Sequence, residues 1–377
     1  SCSVQQKGSG FEIPNYTARN CKQKCLSQNS TVTKYLKPFV INFQPNFSHI
    51  YVERDAFDFE LTDLTLSKFP RATVIKIGHY KDVFNRPGQD FQIQKSSMKL
   101  ILAKKTEPFL YPASDMVQEF DTPNVYYNTP ILNCLYNCDY CYLQGMYPSG
   151  NVVVFVNEND FMDAIDLKLN ELDDPLKPMV VSISYNTDIM AMENIIPMTS
   201  RWIKFVDTQE NLKIEVRTKS ALFSSINNTK PSENVILSWT LSPDSVCQQN
   251  EPTAPPLQRR LGALKEAMAN GWQVRICFDP VLLVEGWYDI YTRFFDEVFN
   301  KIDCDKLLDI TLGVFRMNKD YFNRIRKRES RSELFYANYS IEKGTVIPDK
   351  KVRYNALDQL EDKIAQFFPR DKILVWR

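Results

Sequence analysis

At 377 residues the chain is long enough for one large α/β domain with a smaller module, or for two ordinary domains, and its 44% apolar content suits a buried core. Lys plus Arg equal Asp plus Glu at 46 each, which excludes a global basic field, so any nucleic-acid contact must come from a local patch. No apolar run is long enough to span a bilayer, and Ser1 to Gly10 lack the charged-then-apolar order of a signal peptide. A cytoplasmic protein with no membrane partner is expected, and a start at Ser1 reads as a trimmed sequence. Nine cysteines, odd in number and clustered, do not make a disulfide framework and point towards metal.

Residues 1–37 are polar, with little periodicity, and read as a flexible extension. From Pro38 short β-type runs appear (FVINF, HIYVE, ATVIKIG, MKLILAKK), with a helical stretch near Asp58 to Lys68; they predict a small α/β module over 38–123. From Asn124 strands and helices alternate. NVYYNTP leads into a cysteine loop, and the amphipathic helix NDFMDAIDLKLNEL follows that loop. Then come MVVSIS with IIPMTSRWIKFV, LKIEVRT with a short helix through Leu222, and NVILSWTL with PPLQRRLGALKEAMAN. WQVRICF with a helix from Trp287 to Lys301, and LLDITLGVF with a helix from Lys319 to Lys327, complete the series. Six strand–helix units over 124–330 predict an α/β fold with a partial (β/α)6 barrel, although a doubly wound sheet would give the same string. Residues 331–377 read as a hairpin turning near Gly344, the helix YNALDQLEDKIAQFF and a last strand, KILVW.

The chemistry concentrates in Cys134-Leu-Tyr-Asn-Cys138-Asp-Tyr-Cys141-Tyr142. Three thiolates at gaps of three and two residues, in a loop leaving the first barrel strand, can wrap one face of a [4Fe-4S] cluster. Three ligands for four irons leave one iron open to the amino and carboxylate groups of S-adenosylmethionine (SAM), whose reductive cleavage releases a 5′-deoxyadenosyl radical. Zinc would want a fourth Cys or His, yet the two histidines, His49 and His79, lie far upstream. Cys2, Cys21 and Cys25 read as exposed thiols or an accessory site, and Cys277 reads as packing in an apolar strand.

The triplet and its aromatic neighbours resemble the radical SAM superfamily, and CDYCYLQ resembles the spore photoproduct lyase family. The likeness runs from about His49 to the C-terminus through YNTDI, RTK, WTLSPD, NEPTAPPLQRRLGAL, FDP and EGW, in that order. It implies a radical SAM lyase that abstracts hydrogen from a thymine dimer in DNA. Carried over by position, it implies that Lys219 contacts the SAM carboxylate and that Thr240 and Asp188 contact its polar groups. Tyr142 then sits beside the adenosyl radical. Where the family carries a hydrogen-donating Cys in Ser-Cys-Thr-Ser-Asp, this chain has Ser184-Tyr185-Asn186-Thr187-Asp188, so the donor position falls to Tyr185.

The family's DNA-engaging C-terminal hairpin is loosely matched by ELFYANYSIEKGTVIPDKKVRY. Around it Arg316, Lys319, Arg324, Arg326, Lys327, Arg328 and Arg331 crowd after the sixth strand. Lys343, Lys350, Lys351 and Arg353 are interleaved with Tyr336, Tyr339 and Tyr354. Cations neutralise phosphates and aromatics stack on bases, so a nucleic acid, DNA before RNA, is the expected partner. An external one-electron reductant such as a flavodoxin or ferredoxin is expected too, acting on a monomer. The alternatives are a radical SAM enzyme with an RNA or peptide substrate, and a catalytically silent iron–sulfur or zinc protein.

Overall fold

Apolar runs four to nine residues long, separated by amphipathic stretches, set the strands of this chain, and their spacing leaves room for a helix between most of them. The computed structural model describes residues 45–113, 120–183, 185–328 and 332–377, all within one unit covering 43–377. In chain order the strands are β1 (His49–Glu53), β2 (Thr73–Ile77), β3 (Leu100–Ala103), β4 (Leu110–Pro112), β5 (Val125–Asn128) and β6 (Ile131–Leu132). They continue as β7 (Val152–Phe155), β8 (Met179–Ser182), β9 (Leu212–Thr218), β10 (Val235–Thr240) and β11 (Gln273–Val281). The last are β12 (Leu307–Val314), β13 (Met317–Asn318), β14 (Tyr339–Glu342), β15 (Thr345–Pro348) and β16 (Ile373–Trp376).

The six strands expected from the alternation, β5, β8, β9, β10, β11 and β12, lie side by side in sequence order, each parallel to the next. Two further strands extend this sheet to eight: β16 runs parallel beside β12, and β4 antiparallel beside β5. Helices cover the sheet with one apolar stripe each. In Leu257–Ala269, Leu257, Leu261, Leu264 and Met268 are buried at three- and four-residue steps. Because the six strands point one way, the loops after their C-terminal ends collect along one edge, where parallel α/β folds build their sites.

Three elements depart from the sequence reading. Val152–Phe155, four consecutive buried apolar residues between the cysteine loop and the next helix, is a strand that the six-unit alternation does not include. It joins β2, β1 and β3 in a five-stranded sheet of order β2-β1-β3-β7-β6, with β6 antiparallel at its edge. The short helix expected through Leu222 is a single 3-10 turn at Phe223–Ser225. Thr218 Oγ1 accepts the Ser220 N–H at 2.8 Å and Ser220 Oγ accepts the Leu222 N–H at 3.0 Å, which diverts these donors from a helical ladder. The last helix starts at Lys350 rather than Tyr354, because Asp349 caps it by accepting the Lys351 N–H at 2.9 Å. The run FVINF lies outside the described residues.

Candidate active site

A cavity of about 490 Å³ opens where the six parallel strands end. Tyr127 of β5 lines it, as do Cys134, Cys138, Cys141 and Tyr142 from the next loop, Tyr185 and Asp188 after β8, Lys219 after β9, and Thr240 ending β10. Every site residue named from the sequence therefore faces one space. Their separation along the chain is closed by the parallel order of the strands that carry them.

The cysteine loop hangs between the two large sheets, entered from β6 and left through a short helix, Leu143–Met146, that leads to β7. Asn133 turns the chain at φ 73°, a left-handed conformation that Asn tolerates. Its buried amide donates to the Ser149 and Asn151 carbonyls, both at 2.9 Å, and its Oδ1 accepts the Cys134 N–H at 3.0 Å. Lys95, buried on the helix Phe91–Ser96, donates to the carbonyls of Cys134 and of Tyr136, the latter at 3.3 Å. Gln144 donates to the Cys138 carbonyl at 2.6 Å. Opposite, the segment after the fourth strand ties the loop down. Thr253 Oγ1 accepts the Asn137 N–H at 2.6 Å, the Asn250 carbonyl accepts the Asp139 N–H at 2.8 Å, and Tyr140 donates to Glu251. Glu251 is paired with the fully buried Arg260, which also donates to the Thr240 carbonyl at 3.2 Å. Burial alone would raise the Glu251 carboxyl, but Arg260 and Lys219 outweigh it and hold the group down at about 2.

At the other wall Asp188 is largely committed to the protein. It accepts hydrogen bonds from Thr218 Oγ1 and the Lys219 N–H, each at 2.7 Å, and from the Ala191 N–H at 3.1 Å. It thereby fixes the end of β9 from which the Lys219 ammonium reaches to 5.2 Å above the Tyr140 ring. The Tyr142 hydroxyl donates to the Tyr185 carbonyl at 2.5 Å, with Asn186 Oδ1 at 3.1 Å. The Tyr185 ring stacks on Tyr127 with centroids 4.2 Å apart, and Tyr127 stacks on Tyr111 at 5.2 Å.

The donor set suits an iron–sulfur cluster better than a single ion. Among the described residues no three His, Cys, Asp or Glu groups converge as ligands of one metal. A cubane asks for no convergence, because each thiolate meets its own iron. Neither His49 nor His79 lines the cavity, so among the described residues no fourth Cys or His stands beside the three thiols there. Desolvation pushes all three thiols up, Cys134 to about 12, so a metal held there would have to displace their protons. Lys95 and Lys219 supply nearby positive charge for the thiolates so formed.

A model of the family described as spore photoproduct lyase matches residues 43–375. The chain belongs to the spore photoproduct lyase family. It is 23% identical over 343 residues to spore photoproduct lyase of Bacillus subtilis (strain 168), covering 86% of this chain and 96% of that one. It is 21% identical to the Geobacillus sp. (strain Y412MC61) protein of the same name, covering 90% and 99%. Among solved structures, spore photoproduct lyase complexed with dinucleoside spore photoproduct superposes with a TM-score of 0.75 at 19% identity, covering 88% of this chain and 99% of that chain. A variant with bound AdoMet and dinucleoside spore photoproduct gives 0.76 at the same identity and coverage.

Within this spore photoproduct lyase fold, the basic cluster after the sixth strand is not one surface. Arg324 donates to the Gly145 carbonyl, and Arg328 to the Gln144 and Tyr147 carbonyls at 2.5 and 3.2 Å, so both cap the short helix after the cysteines. That close approach depends on Gly145, where a Cβ would meet the Tyr321 backbone at 2.6 Å. Arg316 turns into the cavity, and Arg353 is buried against Glu342. Tyr339 packs on Phe315 and Phe322 rather than facing solvent. Lys319, Arg326, Lys327, Lys343, Lys350, Lys351 and Tyr336 remain exposed. Cys277 is buried packing, as expected, whereas Cys2, Cys21, Cys25, Ser184 and Arg331 lie outside the described residues. Among the described residues no helix is long and apolar enough to cross a membrane. Sequence reasoning missed Asn133, Lys95, Glu251 and Arg260. NEPTAPPLQRRLGAL held the only signal for the last two, with an acid and a base nine residues apart beside the prolines.

Proposed function

We propose that this chain is a radical SAM lyase that repairs a thymine photoproduct in DNA, with a [4Fe-4S] cluster on Cys134, Cys138 and Cys141. The observation that carries this reading is the meeting of those three thiols with Lys219, Thr240, Tyr142 and Tyr185 around one cavity. When bound, the cluster and SAM supply the 5′-deoxyadenosyl radical. The chain's own groups do the rest. Lys219 holds the SAM carboxylate by a charge-assisted hydrogen bond, and the Thr240 hydroxyl with the remaining Asp188 lone pair holds its other polar groups. Tyr142, tethered through its hydroxyl to the Tyr185 backbone, walls the radical. Tyr185 returns a hydrogen atom to the fragmented product; its O–H bond breaks, and one electron and one proton must later restore the phenol.

The parallel strands β5, β8, β9, β10, β11 and β12 act in this reading as a partial (β/α)6 barrel over 124–330, with a small α/β module over 38–123 before it in the chain and an extension over 331–377 after it. An external one-electron reductant such as a flavodoxin or ferredoxin feeds the cluster, and exposed Lys319, Arg326, Lys327 and Tyr336 suit contact with a DNA strand. Anaerobic reconstitution followed by incubation with reductant, SAM and a dinucleotide spore photoproduct tests it. The expected result is about four irons per chain, SAM cleavage and two restored thymines, all lost in Cys138→Ala. Stoichiometric zinc without iron would defeat the radical assignment, and SAM cleavage without repair would move the chain to another substrate.

A further inference from the structure

Once Tyr185 has given up its hydrogen atom it must be restored, and the wall of the cavity holds a route for that. Tyr127 stands on β5 directly opposite Tyr111 on the antiparallel β4. Their rings lie face to face, with centroids 5.2 Å apart and planes 17° from parallel, as cross-strand aromatic pairs do. On its other side Tyr127 meets the ring of Tyr185, which follows β8, the parallel neighbour of β5. Here the centroids are 4.2 Å apart and the planes 26° from parallel. Three phenols thus form one stack across three adjacent strands. Tyr185 and Tyr127 line the cavity, whereas Tyr111 stands outside it, half-buried on the edge strand of the eight-stranded sheet.

The outer end of the stack differs chemically from the rest. The Lys105 ammonium donates to the Tyr111 hydroxyl at 3.2 Å and lies 5.6 Å from the centroid of the same ring. Tyr111 therefore has a proton donor in contact, on a side chain that is itself only half-buried. Burial above all raises the Tyr127 phenol, with Tyr185 and Tyr111 adding to it, so that group stays protonated and passes its proton together with its electron. The inward neighbour of Tyr185 overlaps it less. The Tyr142 ring is 6.1 Å away and tilted by 53°, and its hydroxyl is committed to the Tyr185 carbonyl. Electronic coupling between rings falls steeply with separation and with loss of overlap, which favours the outward stack.

We propose that Tyr127 and Tyr111 form a relay that recharges Tyr185 from the edge of the sheet. This rests on Tyr185 as the hydrogen donor above, and adds where its replacement hydrogen comes from. In the first hop the Tyr127 O–H bond breaks and the Tyr185 O–H bond forms, one electron and one proton passing together. In the second, Tyr111 restores Tyr127 in the same way. The Tyr111 phenoxyl then takes one electron from the external one-electron reductant and one proton from the Lys105 ammonium, which regains a proton from water. Each hop breaks and makes the same kind of bond, so its free energy is set by the surroundings alone.

The test begins with reconstituted, pre-reduced enzyme freed of excess reductant, mixed with SAM and dinucleotide spore photoproduct and frozen after one turnover. Tyr111→3-aminotyrosine places a more easily oxidised ring at the outer end, and its radical should dominate the electron paramagnetic resonance spectrum. Adding Tyr127→Phe, which keeps the stacked ring and removes the O–H, should abolish that signal and leave a tyrosyl radical at Tyr185. Reduced flavodoxin is then added to the unlabelled proteins and the decay of the tyrosyl signal is followed. Tyr127→Phe and Tyr111→Phe should lengthen its lifetime by about tenfold or more over wild type, and Lys105→Met should lengthen it in the same direction. Equal lifetimes in these proteins overturn the relay, and do so even if the aminotyrosine protein does not fold. A tyrosyl signal that vanishes in Tyr185→Phe, with none arriving at position 111, overturns the relay and leaves Tyr185 as donor. Absence of any tyrosine-derived radical, with or without repair, removes Tyr185 as donor and the relay with it.

Discussion

Tyr185 occupies the position where the resemblance calls for a cysteine, and its surroundings are aromatic on both sides. Its ring lies 4.2 Å from Tyr127 and 6.1 Å from Tyr142. An O–H bond is harder to break than an S–H bond, so the exchange requires a phenol placed well and shielded from water. Tyr142 contributes to that placement by bonding the Tyr185 carbonyl rather than its phenol. The half-buried ring borders the cavity beside the cysteines. Tyr185→Phe keeps the stack and removes the hydrogen. The expected outcome is a lower yield of correctly restored thymine per SAM cleaved, with more adducts from the unquenched radical, measured by product chromatography. Identical product profiles for the two proteins would remove Tyr185 as the donor.

Among the elements, the segment from Asn250 to the helix Leu257–Ala269 has the clearest task beyond filling the core. It carries Thr253, Glu251 and Arg260, which meet the cysteine loop at Asn137 and Tyr140. Glu251 and Arg260 are both fully buried, so each depends on the other to remain charged. Arg260→Met should destabilise the fold by about 3–5 kcal/mol in chemical denaturation, because it strands a buried carboxylate. Adding Glu251→Gln to that change should recover part of the loss, since the stranded charge is then gone. Iron retained per chain after reconstitution should fall in the single variant if the strap positions the loop. Full iron retention in a destabilised Arg260→Met protein would show that the strap serves stability alone.

For the molecule as a whole, buried carboxylates set the response to acid. Glu251 is held at about 2 against an ordinary 4.5, and Asp279 is lowered too, since Arg316 and Arg217 outweigh the burial that would raise it. A carboxyl lowered on folding contributes stability that is present above its unfolded pKa and is lost as pH falls towards its folded one. Asp188 and Glu158 are raised, by burial above all, and work in the opposite sense. Glu251 alone should account for about 2 kcal/mol of stability lost between about pH 5 and pH 3. Urea midpoints at these two pH values should therefore differ less in Glu251→Gln than in wild type. Parallel pH dependence in the two proteins would mean that Glu251 titrates normally in the folded state.

The parts legible without a structure are those whose cause is local. Cys134, Cys138 and Cys141 sit seven residues apart at most, so their spacing alone states that they can hold one cluster. The six parallel strands follow from apolar runs separated by stretches long enough for a crossover, and short connections make sequential strands neighbours. The place of Val152–Phe155 was not legible, since a short apolar run carries no mark of which sheet it will join. Nor was the inward turn of Arg316, which depends on Asp279 37 residues before it and Trp376 60 residues after it. Likewise Asn133, Lys95 and Arg260 look like ordinary polar residues until the fold buries them against backbone carbonyls and a carboxylate. Desolvation, which only tertiary packing imposes, converts a polar side chain into an anchor, because an unpaired buried polar group is costly.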